Sequence, residues 1–576
     1  MRNEDSPAEV ASRKALEAVY HCLDTGQSFR LEAGAGAGKT YSLVAALKRL
    51  IVTKSRSYPR RGQQIACITF TNVAKAEIEA RTDRSPIILC ETNHAFCWSL
   101  ISGFQKQLRA LVADMPAWQD KIAEAGGLGD EIVKYDLGHR SIRDGRVSLH
   151  HDDVLPLTIS LMENPKFRRL MTGRYPIILI DEYQDTDAAW VEAIKTHFLG
   201  QRDSPQFGFF GDHWQKIYGG GCGKLEHPAV VEIGKEANFR SVTTVVECLN
   251  RMRPDLPQFV EDPEALGEVR VLHTNDWSGQ RQTGAHWGGD LPTSEGHIAL
   301  ETLKAELEGA GWDLSANSTK ILMLTHRVLA EEQGYASLPG IFRFSEAFTK
   351  PDHPHLAFLV NILEPACQAF SEQRFGAMFE ALGTSTPFLK SVGDKKAWFD
   401  SMTRLEALRA NGTVDEVIDH LRKTRKPRLP DAVDRSERDL ASFDVTGEDP
   451  MPRALEELQA LRAVAYTEIK ALADYHRGHS PFATKHGVKG AEFENVLVVV
   501  GRGWNQYNFS EMLGQARAPI PAAGLTKFER NRNLFYVVCS RPKTRLALLF
   551  TQELSAPALQ TLEHWFGAAN VSPLTL

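Results

Sequence analysis

GAGAGKT, from Gly34 to Thr40, follows a short apolar stretch, Phe29–Ala33, and opens a helix-like run, Lys39–Leu50. Glycines at that spacing let backbone N–H groups converge on phosphate oxygens, and the helix start adds positive dipole. Lys39 then reaches toward β- and γ-phosphates, and the Thr40 hydroxyl is a candidate ligand for Mg²⁺. The candidate cradle is Ala33, Gly34, Ala35, Gly36, Ala37, Gly38, Lys39 and Thr40, with Ala33 where the common pattern has its first glycine.

A second group lies downstream. The apolar run 177–180 (IILI) ends in DEYQD, so Asp181 and Glu182 fall at the carboxyl end of a strand. Open α/β sheets bind ligands at that edge. Asp181 is placed to hold Mg²⁺, and Glu182 to orient and deprotonate an attacking water.

These groups need a sheet to hold them. Strand candidates in the first 240 residues are Phe29–Ala33, Gln64–Phe70, Ile87–Cys90, Ile177–Ile180 and Phe207–Phe210, with helical stretches between. Short apolar strands alternating with helices predict a parallel sheet buried on both faces. The stretch 103–170 reads as a helix-rich insertion without a strong strand. Lys320–Thr325, Val496–Gly501 and Arg545–Phe550 predict a second strand set, interrupted by a helical insertion over 345–475.

The chain of 576 residues exceeds one hydrophobic core. Hydrophobic residues at 43% and charged residues at 24% are ordinary for a soluble globular protein. No apolar run approaches the roughly 18 residues that span a bilayer, and the polar N-terminus does not read as a signal peptide, so the expected address is the cytoplasm. The net charge of −6 argues against nucleic-acid affinity spread over the whole surface, but not against a local groove. The eight cysteines form no C-x-x-C pair, which argues against zinc or an iron–sulfur cluster. His150, His151, Asp152 and Asp153, and separately His353 and His355, lack regular ligand spacing. The basic run Arg422–Arg428 reads as a solvated loop, with a DNA-backbone contact as the sharper alternative.

Further segments, in order, carry a resemblance. They are ITFTNVAKAEIEAR (68–81), TNHAF (92–96), DEYQD, GDHWQKIY (211–218), NFRS (238–241), TKHGVKGAEF (484–493) and RNRNLFYVVCSR (530–541). With the glycine loop, this series resembles the motifs of superfamily 1 DNA helicases of the UvrD/Rep/PcrA group. The resemblance implies two RecA-like P-loop lobes with parallel sheets, each carrying a mostly helical insertion. The first lobe would take 1–102 and 171–237, interrupted by 103–170. The second would take 238–344 and 476–576, interrupted by 345–475.

The resemblance also implies roles. Lys39, Asp181, Glu182, Gln215, Arg240 and Arg541 would be catalytic. Gln215 would sense the γ-phosphate or the water, and Arg240 and Arg541 would be arginine fingers from the second lobe, so that hydrolysis needs a closed cleft. Tyr41 and Phe239 would flank the adenine, and Glu492 would bond the ribose. Phe70 and Tyr218 would stack on bases, while Asn72, Thr92, His94 and His486 would touch the DNA backbone. ATP, Mg²⁺ and single-stranded or tailed DNA are the implied cofactors and partner, with 3′ to 5′ movement.

The sequence departs from the group in four places, one of them the mild exchange that puts Ser540 where a threonine is usual. No glutamine stands near Ala15, where an adenine-reading one is usual. Tyr41 replaces an arginine. The run 219–223 (GGGCG) replaces a tryptophan and an arginine, for which Trp214 is a candidate substitute. The short insertions resemble the B component of Gabija phage-defence systems, which implies an OLD-type nuclease partner. Two readings therefore stay open: a DNA motor serving repair or defence, and an ATPase that senses DNA ends for a nuclease.

Overall fold

The strands named on the sequence assemble into two sheets in a computed structural model. It describes residues 5–135, 140–217, 219–284, 287–323, 333–342, 353–383, 389–443, 450–477, 482–484, 491–501 and 507–576. Contacts divide the chain into two units. The first is Met1–Val269, Gln515–Arg545 and Gln560–Ala568; the second is Arg270–Gly514, Leu546–Leu559 and Ala569–Leu576. This division differs from the lobes drawn on the sequence, because 238–269 and 515–545 group with the glycine loop.

In chain order the first unit contains β1 (Ser28–Ala33), β2 (Ile65–Thr69), β3 (Ile88–Thr92), β4 (Ile132–Tyr135), β5 (Ser141–Arg143), β6 (Arg146–Leu149), β7 (Ile177–Asp181), β8 (Gln206–Gly211) and β9 (Val230–Lys235). Its main sheet runs β3-β2-β7-β8-β1-β9 with parallel pairing. Successive strand side chains point to opposite faces. Ile177 and Leu179 accordingly join one core with Ile65, Cys67 and Leu31. Ile178 and Ile180 join the other, with Ala66, Ile68, Phe207 and Phe209. Both faces are covered, which is why these strands read as continuous apolar runs. The strands whose carboxyl ends matter below lead into α2 (Lys39–Lys54), α3 (Asn72–Arg81) and α4 (Asn93–Ile101); α1 (Pro7–Thr25) precedes β1.

The first insertion is not purely helical. β4, β6 and β5 form a small sheet, with β5 and β6 antiparallel around Asp144-Gly145. Both turn residues have positive φ, 53° and 69°, as a two-residue hairpin turn requires. Strands of three or four residues leave too little alternation to stand out, but the Asp-Gly pair was a readable signal.

A short ribbon, β10 (Ala237–Asn238) with β11 (Phe259–Val260), completes the strands of the first unit. The second unit carries β12 (Glu268–His273), β13 (Thr319–Met323), β14 (Phe482–Thr484), β15 (Phe493–Val500), β16 (Pro542–Phe550) and β17 (Val571–Pro573), in the order β14-β13-β15-β16-β12-β17; the first residues of β12 and β16 count with the first unit. The described part of 345–475 is helical around its own core, including Leu363, Met402, Leu405, Ile418, Leu421 and Ile469. Arg409 holds Glu364 through two hydrogen bonds of 2.7 and 2.5 Å, and His355 Nε2 lies 2.8 Å from Glu437 Oε1. The basic run is only partly a loop. Arg422 to Thr424 close the helix Val414–Thr424, and Arg428 pairs with Asp431 at 2.8 Å. Among the described residues no helix is long and apolar enough to cross a membrane.

Candidate nucleotide and nucleic-acid site

The glycine loop leaves the end of β1, and the chain enters α2 at Lys39. Gly36 and Gly38 sit at φ 75° and 71°, a region L side chains rarely adopt. A Cβ at Gly36 would also lie 2.7 Å from Asn238 Oδ1. The loop is fastened by residues more than 200 positions away. Asn238 Nδ2 and Gln258 Nε2 each donate to Ala35 O at 3.1 Å, and Phe239 N donates to Gly36 O at 2.9 Å.

β7 delivers the carboxylates to the same place. The Lys39 ammonium lies against Glu182 Oε1 and 3.9 Å from Asp181 Oδ1. Burial opposes the Lys39 charge, but Glu182 and Asp181 outweigh it and raise the pKa. Glu182 has φ 49° and ψ 44°, a costly left-handed conformation for a residue with a side chain. Gln184 Nε2 helps hold it, donating to Glu182 Oε2 at 2.5 Å.

The end of β8 supplies Gln215. Its Nε2 donates to Asp212 Oδ2 at 2.8 Å, and its Oε1 accepts from Arg541 Nη2 at 3.5 Å. Arg541 is buried and also donates to Val537 O at 2.8 Å. Burial, reinforced by the neighbouring Arg240, pushes the Arg541 pKa down to about 9, against the pull of Glu182 and Asp212. Arg240 Nη1 donates to Ser540 O at 3.0 Å. Lys39, Asp181, Glu182, Gln215, Arg240 and Arg541 therefore share one unit and one charge environment.

Beneath them is a buried network. Arg253 Nη1 donates to Asp212 Oδ1 at 2.6 Å, Arg253 Nη2 reaches Glu32 Oε1 at 3.4 Å, and its guanidinium lies over Trp214 and Tyr536. Glu32 also meets His213 Nδ1 at 2.6 Å and the Tyr183 hydroxyl at 2.7 Å. Burial works against the Glu32 charge, but His213 and Tyr183 outweigh it and hold the carboxyl down at about 2. Glu32, Asp212 and His213 have the ligand types of a metal group. Arg253 already supplies the positive charge there, so the cluster works as a brace for Asp212 and through it for Gln215.

A cavity of about 1080 Å³ opens beside the carboxyl ends of β2, β3 and β7. Phe70, Asn72, Thr92 and His94 all line it. Phe70 is 47% exposed, which leaves its ring accessible. Thr92 stands at the N-cap of α4 without a side-chain cap bond, while Thr71 caps α3. The first insertion contributes Tyr135 and His151 to the same wall. His151 stacks on His94 with ring centroids 3.5 Å apart, and the Tyr135 hydroxyl lies 2.7 Å from His151 Nδ1. Burial, then His151, pushes the His94 pKa down to about 4, so at neutral pH its ring is uncharged. Among the described lining residues there are carboxylates but no lysine or arginine, a chemistry that suits base faces better than phosphates.

An AAA domain model matches residues 16–221. The chain is 22% identical to the Gabija protein GajB of Bacillus cereus (strain HuB5-5), over 94% of this chain and 96% of that one. It is 25% identical to the ATP-dependent DNA helicase Rep of Salmonella typhimurium, over 42% of this chain and 44% of Rep. It is 26% identical to the ATP-dependent DNA helicase UvrD1 of Mycobacterium leprae, over 41% and 38%. The chain is similar to UvrD-like superfamily 1 proteins. It spans nearly all of the Gabija relative but less than half of the Rep and UvrD1 chains.

Most of the residues singled out on the sequence can be located. Tyr41 and Phe239 present rings that are 57% and 37% exposed. Ala15 is buried in α1. Glu492 is exposed and belongs to the second unit. Tyr218 and His486 lie outside the described residues. Trp214 does not replace a base-stacking tryptophan. It is 8% exposed, edge-on to Tyr536, with Arg532 3.9 Å above its ring, so its faces are already occupied. Asp153 is spent on structure, with Arg140 at 2.7 Å and Trp118 Nε1 at 3.2 Å. Sequence reasoning missed Gln258, Arg253 and Lys235. All three touch the site through contacts that no local spacing announces.

Proposed function

We propose that the chain is an ATP-dependent DNA translocase whose hydrolysis is stimulated by single-stranded DNA. The observation that carries this reading is the convergence of Lys39, Glu182, Gln215, Arg240 and Arg541 around one glycine loop. In this reading the loop amides and Lys39 hold the β- and γ-phosphates. Glu182 takes a proton from the attacking water, and Gln215, held by Asp212, orients that water. Arg240 and Arg541 meet the charge that spreads over the equatorial oxygens.

Asp181, at the loop mouth, and Thr40, directly after Lys39, offer the hard oxygen donors that Mg²⁺ takes, so the residues fit the ion. When bound, it would neutralise phosphate charge. A triphosphate in the loop would compete with Glu182 for Lys39 and release that carboxylate to act as a base.

Phe70 supports contact with bases, since a stacked aromatic tolerates any sequence. Movement 3′ to 5′ is part of the proposal, as the resemblance of the motif series to the UvrD/Rep/PcrA group implies. The similarity to the Gabija relative over nearly the whole of both chains supports a role in phage defence, and an OLD-type nuclease partner and a cytoplasmic address belong to the same proposal.

One observation favours a second reading, a DNA-end sensor with little unwinding of its own. Trp214 is unavailable to bases, so a stacking element of the motor is missing. Strand displacement by the isolated chain separates the two. The motor reading expects a duplex with a 3′ single-stranded tail to be unwound and a 5′-tailed one to be left intact. DNA-stimulated hydrolysis without displacement of either would select the sensor.

A further inference from the structure

β9 ends at Lys235, whose side chain is buried completely. Its ammonium donates to Gly38 O at 3.1 Å and to Ser42 Oγ at 2.7 Å. Both acceptors are neutral, and among the described residues no carboxylate pairs with it. A buried ammonium without an anion is costly, and burial pushes this pKa down to about 8. A leucine or methionine would fill the same space without that cost. The position of the charge therefore asks for a ligand.

The surroundings indicate which part of a ligand. Lys235 Nζ lies 5.8 Å from the centre of the Tyr41 ring and 6.0 Å from that of Phe239. A point nearly equidistant from two rings lies close to the plane midway between them. A base sandwiched by those rings would present its edge there. Both rings are accessible, and among the described residues neither stacks on another ring. With two of its protons directed at Gly38 O and Ser42 Oγ, the ammonium has a third to give. It has no acceptor capacity, so it can recognise a lone pair on the base and not an amino group.

We propose that Lys235 is the base-reading residue of the nucleotide site, donating a hydrogen bond to an acceptor atom on the edge of a purine held between Tyr41 and Phe239. This rests on the nucleotide site proposed above. It assigns the discrimination that the missing glutamine near Ala15 would otherwise provide. A glutamine amide can donate and accept at once, whereas Lys235 reads a ring nitrogen or a carbonyl.

The test uses equilibrium binding to the full chain, so that it does not depend on turnover. Calorimetry gives the Kd of ATP, of 1-, 3- and 7-deaza-ATP, and of inorganic tripolyphosphate, for the wild type and for Lys235→Met. Losing a hydrogen bond from a charged donor should weaken ATP by about tenfold or more. Tripolyphosphate, which has no base, should bind both proteins equally. One deaza analogue should bind the wild type more weakly than ATP does, and that difference should vanish in Lys235→Met. If tripolyphosphate weakens in step with ATP, Lys235 only props the glycine loop and the proposal is overturned. An unchanged Kd for ATP overturns it as well. Hydrolysis measured alongside keeps the two readings apart: a chain that binds as described but does not turn ATP over contradicts the proposed function and leaves the base contact standing.

Discussion

Glu182→Gln should lower kcat by about 10² to 10⁴-fold while ATP still binds, the range expected when a general base is removed. The substitution is nearly isosteric, but its amide keeps one acceptor, toward either Lys39 or Gln184, and turns an NH₂ toward the other. It removes the negative charge that raises the Lys39 pKa and the basicity that accepts the water proton. Single-turnover hydrolysis and nucleotide binding should therefore separate, with chemistry lost and affinity kept or improved, because Lys39 is freed for phosphate. Lys39→Ala should differ by losing affinity as well. DNA binding should survive both substitutions, since neither Lys39 nor Glu182 lines the cavity that holds Phe70. Turnover retained by Glu182→Gln would place the base elsewhere.

Arg541→Ala should cost about 10³ to 10⁵-fold in kcat, the effect of removing an arginine that meets transition-state charge. Here the loss has two parts. One is the guanidinium itself. The other is Gln215, whose Oε1 accepts from Arg541 and whose orientation depends on that bond and on Asp212. Arg541→Lys separates them. Lysine keeps a charge but not the planar fork. If Arg541 works mainly as a finger, lysine recovers little activity. Because the side chain is buried, thermal unfolding must be recorded for each variant, and the argument applies to those that stay folded at the assay temperature. An Arg541→Lys enzyme with wild-type kcat would remove Arg541 from the chemistry.

The parts of the site that local chemistry dictates were readable in the sequence. Gly36 and Gly38 announce themselves because the turn needs positive φ, and Asp181 and Glu182 because an apolar strand cannot continue into two carboxylates. β1, β2, β7 and β8 stood out because burial on both faces leaves uninterrupted apolar runs. β9 did not, because it is the edge strand and carries Glu232 and Lys235 among its valines. Arg253, Gln258 and Lys235 were invisible for a different reason. Arg253 bridges Asp212 and Glu32, 41 and 221 residues away, and Lys235 meets Gly38 after 197. Such roles are created by topology and leave no pattern along the chain. Trp214 shows the converse: its type suggested stacking on a base, and two arginines and a tyrosine had already taken its faces.

The most direct measurement of the account is the steady-state ATPase rate of the purified chain with and without single-stranded DNA. A nucleotide site held by Lys39, Glu182, Gln215 and Arg541, coupled to the cavity lined by Phe70, predicts a rate that rises manyfold on adding the strand. A rate that single-stranded and tailed DNA both leave unchanged would contradict it.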